Sequence, residues 1–239
     1  MKKLIIVPAY NEEENIPYVL ETLSHYADYD VVVIDDCSTD QTLAKCRELQ
    51  QRFANVHLLS LTYNLGIGGA VQTGYRYAWK NGYDIAIQMD GDGQHDPTFL
   101  DSLTLPIENG DTDMTIGSRF LEKKGFQSSS LRRFGISFFR LLVHVLTGKT
   151  IYDMTSGFRA VSRKIIIHFA EDYPVDYPEP ETNARLLRLG YRLKEIPVIM
   201  HTRRAGNSSI SYTDAVWYMF KVTAAILIDY LRTDKGRKQ

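Results

Sequence analysis

The chain has 239 residues, 44% of them hydrophobic and 24% charged, with a formal net charge of -1. That length suits one large domain with a sizeable core, and the composition is that of an ordinary globular chain. The whole-chain balance names no partner, and no segment reaches the ~18 consecutive apolar residues of a membrane span.

The start, MKKLIIVPAYNEE, resembles a signal peptide for seven residues only; Pro8 and the acids at 12 to 14 end the apolar run, so it reads as a first strand. NEEENIPYVLETLSHY then has apolar residues at helical spacing behind an acidic first turn, which suits the helix dipole. DVVVID is a second strand, and Ser38, Thr39 and Asp40 offer caps for the helix QTLAKCRELQQRF. NVHLLSL, GGAVQTGYRYAWKNG and DIAIQM follow as strand, helix and strand. The alternation predicts an α/β fold, a Rossmann-like and mostly parallel sheet with helices on both faces. After about residue 115 the pattern turns irregular, with polar loops between helices. The expected division is a catalytic domain over residues 1–210, its halves 1–115 and 116–210, followed by a C-terminal helix and basic tail over 211–239. Cys37 and Cys46 show no metal spacing and read as reduced thiols of a cytosolic protein.

In such sheets ligands bind beyond the carboxyl ends of the strands. Pro8, Ala9, Tyr10, Asn11 and Glu12 follow the first strand, Asp35 and Asp36 the second, and Asn64 to Gly69 the third. The fourth ends in MDGDGQHDP, which sets Asp90 and Asp92 one residue apart. Two such carboxylates repel unless a cation lies between them. Mg²⁺ commonly takes one or two carboxylates together with substrate phosphates, and Gln94 can add a carbonyl oxygen. Gly91 and Gly93 let the backbone turn tightly beside a ligand. A metal-bound diphosphate is the natural occupant, with Asp96 before Pro97 capping the next helix. No GxxxxGK[ST], no GxGxxG in a βα context, no GxSxG and no HExxH is present.

The stretches VPAYNEEENI, VVVIDDCSTDQT, NLGIGGAVQTG, MDGDGQHDP, GSRF, DMTSGFRAVSR and RRAGNSSI together resemble the family 2 glycosyltransferases of GT-A fold, and within them the dolichol- or polyprenyl-phosphate sugar transferases. The resemblance implies that Pro8, Tyr10 and Glu12, with Ile34 and Asp36, hold the nucleoside, and that Asn64 and Gly68 border its pocket. It implies a metal and diphosphate site at Asp90, Asp92 and Gln94, with Mg²⁺ or Mn²⁺ as the cofactor. Arg119, Arg133 and Ser137 match the cluster that grips the acceptor's phosphate, and Arg203 a loop that closes over the diphosphate. Cys37 stands where the family usually has Gly, and Ser209 where many members have Lys.

The residues agree on an anionic acceptor. Arg119, Lys123, Lys124, Arg132, Arg133, Arg140 and Lys149 lie in a stretch whose single acid is Glu122. Phe134, Phe138 and Phe139 sit at helix-core spacing with Leu141, Leu142 and Val145, which favours an amphipathic helix at a membrane face over nucleic acid. From Asp214 to Arg232 the polar residues Asp214, Lys221, Asp229 and Arg232 form one narrow stripe. The large apolar remainder points to the membrane interface, a second copy or a small membrane protein.

A lipid phosphate monoester has a second pKa of ~6 and is already mostly dianionic, so it needs cations to hold it and no base to activate it. Arg119 and Arg133 suit that task, with Asp92 at the metal. The expected activity is therefore inverting, metal-dependent transfer of a hexose from UDP-glucose, UDP-N-acetylglucosamine or GDP-mannose to polyprenyl phosphate, on the inner face of the cell membrane. The rival is extension of a lipid-linked polysaccharide by hydroxyl attack, with Asp153, Glu179 or Glu181 as base. A non-catalytic nucleotide-sugar sensor is the alternative of another class.

Overall fold

The structure is a computed structural model that describes residues 1–122, 130–176, 178–202 and 212–231. The chain opens with βα units: β1 (Lys3–Ala9), α1 (Ile16–Ser24), β2 (Tyr29–Asp35), α2 (Thr42–Arg52), β3 (Val56–Ser60), α3 (Gly66–Lys80) and β4 (Ile85–Gln88). There follow α4 (Leu100–Glu108), β5 (Met114–Ser118), α5 (Ser130–Thr147), β6 (Arg159–Ser162), α6 (Arg163–Glu171), α7 (Pro178–Arg188), β7 (Leu193–Pro197) and α8 (Tyr212–Leu231). Among the described residues, seven strands form one sheet in the order β3-β2-β1-β4-β6-β5-β7. All pairings are parallel except those of β6, which runs antiparallel to both β4 and β5.

The alternation of β1 explains the two cores. Leu4 and Ile6 face one side with Val32 and Ile34, against Val71 and Tyr75 of α3 and Ile165 and Phe169 of α6. Ile5 and Val7 face the other with Val31 and Val33, against Leu20 of α1, Cys46 of α2 and Leu103 of α4. Burial on both faces is why these strands are unbroken β-branched runs. It also fixes the register, since a slip by one residue would exchange the two cores.

Two expectations need correction. The acids at 12 to 14 do not form the first turn of α1, which begins at Ile16 with Pro17 beside it and holds no acid there. The Glu12 carbonyl instead accepts the amides of Asn15 and Ile16 in a turn ahead of the helix. Proline suits a first helical turn because it lacks the N–H that would be orphaned there. The stretch after residue 115 is less irregular than its sequence suggests, since β6 and β7 add to the sheet at β4 and β5.

Two residues of the expected polar stripe, Lys221 and Asp229, reach the domain from α8, while the Asp214 side chain and Arg232 lie outside the described residues. Asp229, 8% exposed, accepts from Arg185 and Arg188 of α7, and Lys221 pairs with Asp176. Val222 and Ile226 are buried beside them, whereas Trp217, Phe220, Ile228 and Leu231 are exposed.

Candidate active site

A cleft of about 720 Å³ opens at the carboxyl edge of the sheet. One wall comes from the segment after β1, where Pro8, Ala9, Tyr10, Asn11 and Glu12 all line it. Asn11 holds a left-handed backbone (φ 55°), which Asn tolerates better than most residues. Its amide oxygen accepts the Thr39 N–H at 2.8 Å and its own N–H donates to Ser38 Oγ at 3.1 Å. Glu12 N–H donates to Thr42 Oγ1, and Glu13 N–H to Asp40 Oδ2. The β1 and β2 loops are thereby laced into one wall. Asp40 also accepts the Thr42 N–H at 2.9 Å from one residue ahead of the N-cap of α2, which is Gln41 and makes no side-chain cap bond.

Asp36, 3% exposed, closes the inner end. Its carboxylate accepts the Leu65 N–H at 2.7 Å and its carbonyl accepts the Asn64 amide, which places Asn64, Gly66 and Ile67 on the cleft. Ile34 and Gly68 do not line it. Gly68 packs sideways: its N–H donates to Val175 O at 3.1 Å, and a Cβ there would overlap the carbonyl oxygens of Pro174 and Val175.

Asp90, Gly91 and Asp92 line the same cleft. His95 organises their turn. It is buried, stacks on Phe158 with ring centroids 4.8 Å apart, and accepts the Asp90 N–H on Nδ1 at 3.0 Å. A neutral imidazole that accepts on Nδ1 carries its proton on Nε2, which faces the Asp90 carboxylate at 3.7 Å. Burial pushes this imidazole down to about 4, so it is uncharged at neutral pH and holds the turn by hydrogen bonding. Asp92 accepts the Gln94 N–H at 3.0 Å. The Gln94 side-chain amide nitrogen donates to His201 O at 3.2 Å, so this residue ties the turn to the segment before Arg203. Asp96 accepts from both the backbone and hydroxyl of Thr98, as a cap should.

These residues fit a hard divalent cation in part. Among the described residues, no group of three His, Cys, Asp or Glu side chains stands close enough to hold an ion by itself. Asp90 and Asp92 offer carboxylate oxygens to one cleft, which suits Mg²⁺ or Mn²⁺ completed by phosphate oxygens.

The basic residues fall elsewhere. Arg119 is 6% exposed and forks onto Asp153 at 2.8 and 2.7 Å, with Nη2 also reaching Thr155 Oγ1 at 3.2 Å. Thr155 lines the cleft while Arg119 and Asp153 stand behind it. Arg133 and Ser137 are exposed, four residues apart on α5, and are not among the cleft's lining residues. Arg203, Lys123 and Lys124 lie outside the described residues.

The sequence reading missed Thr155 and Gly157 as lining residues, and the organising role of His95. A Cβ on Gly157 would stand 3.1 Å from Asp90 Oδ2, so glycine admits this backbone to the carboxylate. Glu179, at the start of α7, completes the lining.

The glycosyl transferase family 2 model matches residues 4–169. The chain belongs to that family. A relative named polyprenol monophosphomannose synthase, from Mycolicibacterium smegmatis, is 30% identical over 92% of this chain and 85% of its own. A UDP-N-acetylglucosamine--dolichyl-phosphate N-acetylglucosaminyltransferase from Methanococcus voltae is 30% identical over 81% of this chain and 83% of its own. Among solved structures, a mannosyltransferase from Pyrobaculum calidifontis in complex with GDP-Man and Mn²⁺ superposes with a TM-score of 0.68 at 18% identity, over 95% of this chain and 64% of that one. The fold of this glycosyltransferase is accordingly GT-A, with a mostly parallel sheet covered by helices on both sides.

Proposed function

We propose that this glycosyltransferase moves a hexose from a nucleotide diphosphate sugar to polyprenyl phosphate, with inversion, at a membrane surface. The observation that carries the reading is the meeting of Asp90 and Asp92 with Pro8–Glu12, Asp36 and Asn64 on one cleft. Asp36 and Asn64 suit a nucleoside, and the acidic pair suits the diphosphate through a divalent cation. Bound there, the cation would neutralise charge gathering on the leaving diphosphate. The chain's own residues hold that arrangement: His95 and Asp92 fix the turn, and the lacing of the β1 and β2 loops shapes the nucleoside wall. A dianionic lipid phosphate attacks the anomeric carbon without a general base. Arg133 and Ser137 on α5 are its proposed partners, and Arg119 shapes the wall through Thr155.

The exposed faces of α5 and α8 support a lipid surface. Leu141 and Val145 are exposed on α5, Trp217, Phe220 and Leu231 on α8, and Phe139 packs edge-on against Tyr218 where the helices meet. Among the described residues no helix is long and apolar enough to cross a membrane, so docking in the interface plane is the fitting mode. Replacing both Trp217 and Phe220 by Ser should abolish co-flotation with anionic vesicles while leaving the melting temperature unchanged.

The decisive assay offers UDP-glucose, UDP-N-acetylglucosamine and GDP-mannose, with Mn²⁺ or Mg²⁺, to undecaprenyl phosphate and separately to a sugar-capped lipid. Product on the phosphate alone is expected, with Asp92→Asn lowering turnover by at least about a hundredfold. Product on the sugar-capped lipid alone would establish the hydroxyl reading, which the presence of the Glu179 carboxylate on the cleft favours.

A further inference from the structure

A full positive charge lies beneath the cleft floor. Arg159, on β6, is 0% exposed and pairs in register with Gln88 of β4. Its Nη1 donates to Thr182 Oγ1 at 2.8 Å, and that hydroxyl in turn donates to Pro178 O in the first turn of α7. Its Nη2 stands at ion-pair distance from Glu179 Oε1, 3.5 Å, and among the described residues neither Nη2 nor Nε has a hydrogen-bond partner. Among those residues, Glu179 is the carboxylate in ion-pair contact with Arg159, while Tyr75, Tyr173 and the Asp90 carboxylate also act on its charge. Burying a guanidinium costs several kcal/mol unless it is paired, and Glu179 is the partner placed to offset that cost.

Glu179 is the group through which that charge reaches the cleft. Its side chain is 16% exposed and lines the cleft with Thr155 and Gly157. The strand order gives its place along the site. Nucleoside residues stand on β2 and β1, the acidic pair on β4, and the 155–157 segment leads into β6 next to β4. A sugar joined to the far end of a diphosphate at β4 therefore falls at β6, against Glu179. A carboxylate paired with a buried cation is an acceptor-only group, suited to hexose hydroxyl donors.

We infer that Arg159 is a positioning residue, which clamps the first turn of α7 and holds Glu179 as a hydrogen-bond acceptor for the hydroxyls of the donor's hexose. The inference rests on the glycosyl-transfer reading and deepens it. A bare nucleoside diphosphate lacks the hexose hydroxyls that would meet Glu179, so the pair should discriminate between a nucleotide and its sugar.

Calorimetry in Mn²⁺ or Mg²⁺ with UDP, GDP, UDP-glucose, UDP-N-acetylglucosamine and GDP-mannose tests this. Glu179→Gln should bind the preferred bare nucleotide within about twofold of wild type and the matching sugar nucleotide at least about tenfold more weakly, the size of one lost charge-assisted hydrogen bond. Arg159→Lys should restore much of the sugar nucleotide's advantage, while Arg159→Met removes it. Because Arg159→Met and Glu179→Gln each leave a charge in doubt, the double variant Arg159→Met/Glu179→Gln, which removes both, is measured alongside them and should repeat the selective loss. If wild type binds a sugar nucleotide and these variants lose bare nucleotide equally, or lose nothing, the inference is overturned and the glycosyl-transfer reading stands. If wild type binds none of the five, both fall.

Discussion

At the scale of single residues, Cys37 records a local conflict. It holds a left-handed backbone (φ 61°) at the tip of β2, and its thiol reaches towards Thr62 O at 3.7 Å. A side chain in that conformation costs roughly 1–2 kcal/mol, which glycine escapes. Glycine at this position would hold the same turn without that strain. Cys37→Gly should leave the urea midpoint unchanged or slightly raised, because the relief is offset by about 0.4–1 kcal/mol of added freedom in the unfolded chain. Cys37→Val, β-branched, should lower stability by about 1–2 kcal/mol. Cys46 differs: burial, then the charges of Asp35 and Asp40, push its thiol up to about 12. A thiol reagent should thus modify Cys37 in the folded protein and reach Cys46 only on unfolding.

At the scale of elements, α8 is held by charge on its inner side and left apolar outside. Asp229 receives both Arg185 and Arg188, while Arg185 keeps Asp172 as a second partner. Asp229→Ala should cost about 2–3 kcal/mol, a buried-pair loss discounted for the partial exposure of Arg188, and should show as faster amide exchange along α8. Legibility followed the same division. The strands β1, β2 and β4 were readable because both faces are buried and their sequences are unbroken apolar runs. β6 and β7 were not, since RAVS carries a buried arginine and LKEIP alternates with charge. The acidic pair stood out because its chemistry is local. Arg159 and His95 did not, because their meaning comes from Glu179 and Phe158, far away in the chain. A charged residue within an otherwise buried strand was the one signal that could have prompted a search for an acid.

At the scale of the whole molecule, pH acts through a half-buried imidazole. His168 of α6 is held below the usual histidine value, by burial first and then by the charge of Arg185. The folded chain therefore refuses a proton that the unfolded chain accepts from about pH 6.5 downward, so stability falls as pH falls through that value. Thermal melts from neutral to about pH 5 should show this decline, and His168→Leu should flatten it. The abutment of Gly68 on Pro174 and Val175 also reaches beyond its own neighbourhood. It joins the first turn of α3, where Gly66 and Ile67 border the cleft, to the strand of chain that feeds α7. Two jaws drawn from distant parts of the polypeptide thus meet with no gap wide enough for a methyl group, and their spacing is a fixed gauge. Even alanine at position 68 would act as a shim, prying the aperture apart and loosening its hold on anything as slender as a nucleotide.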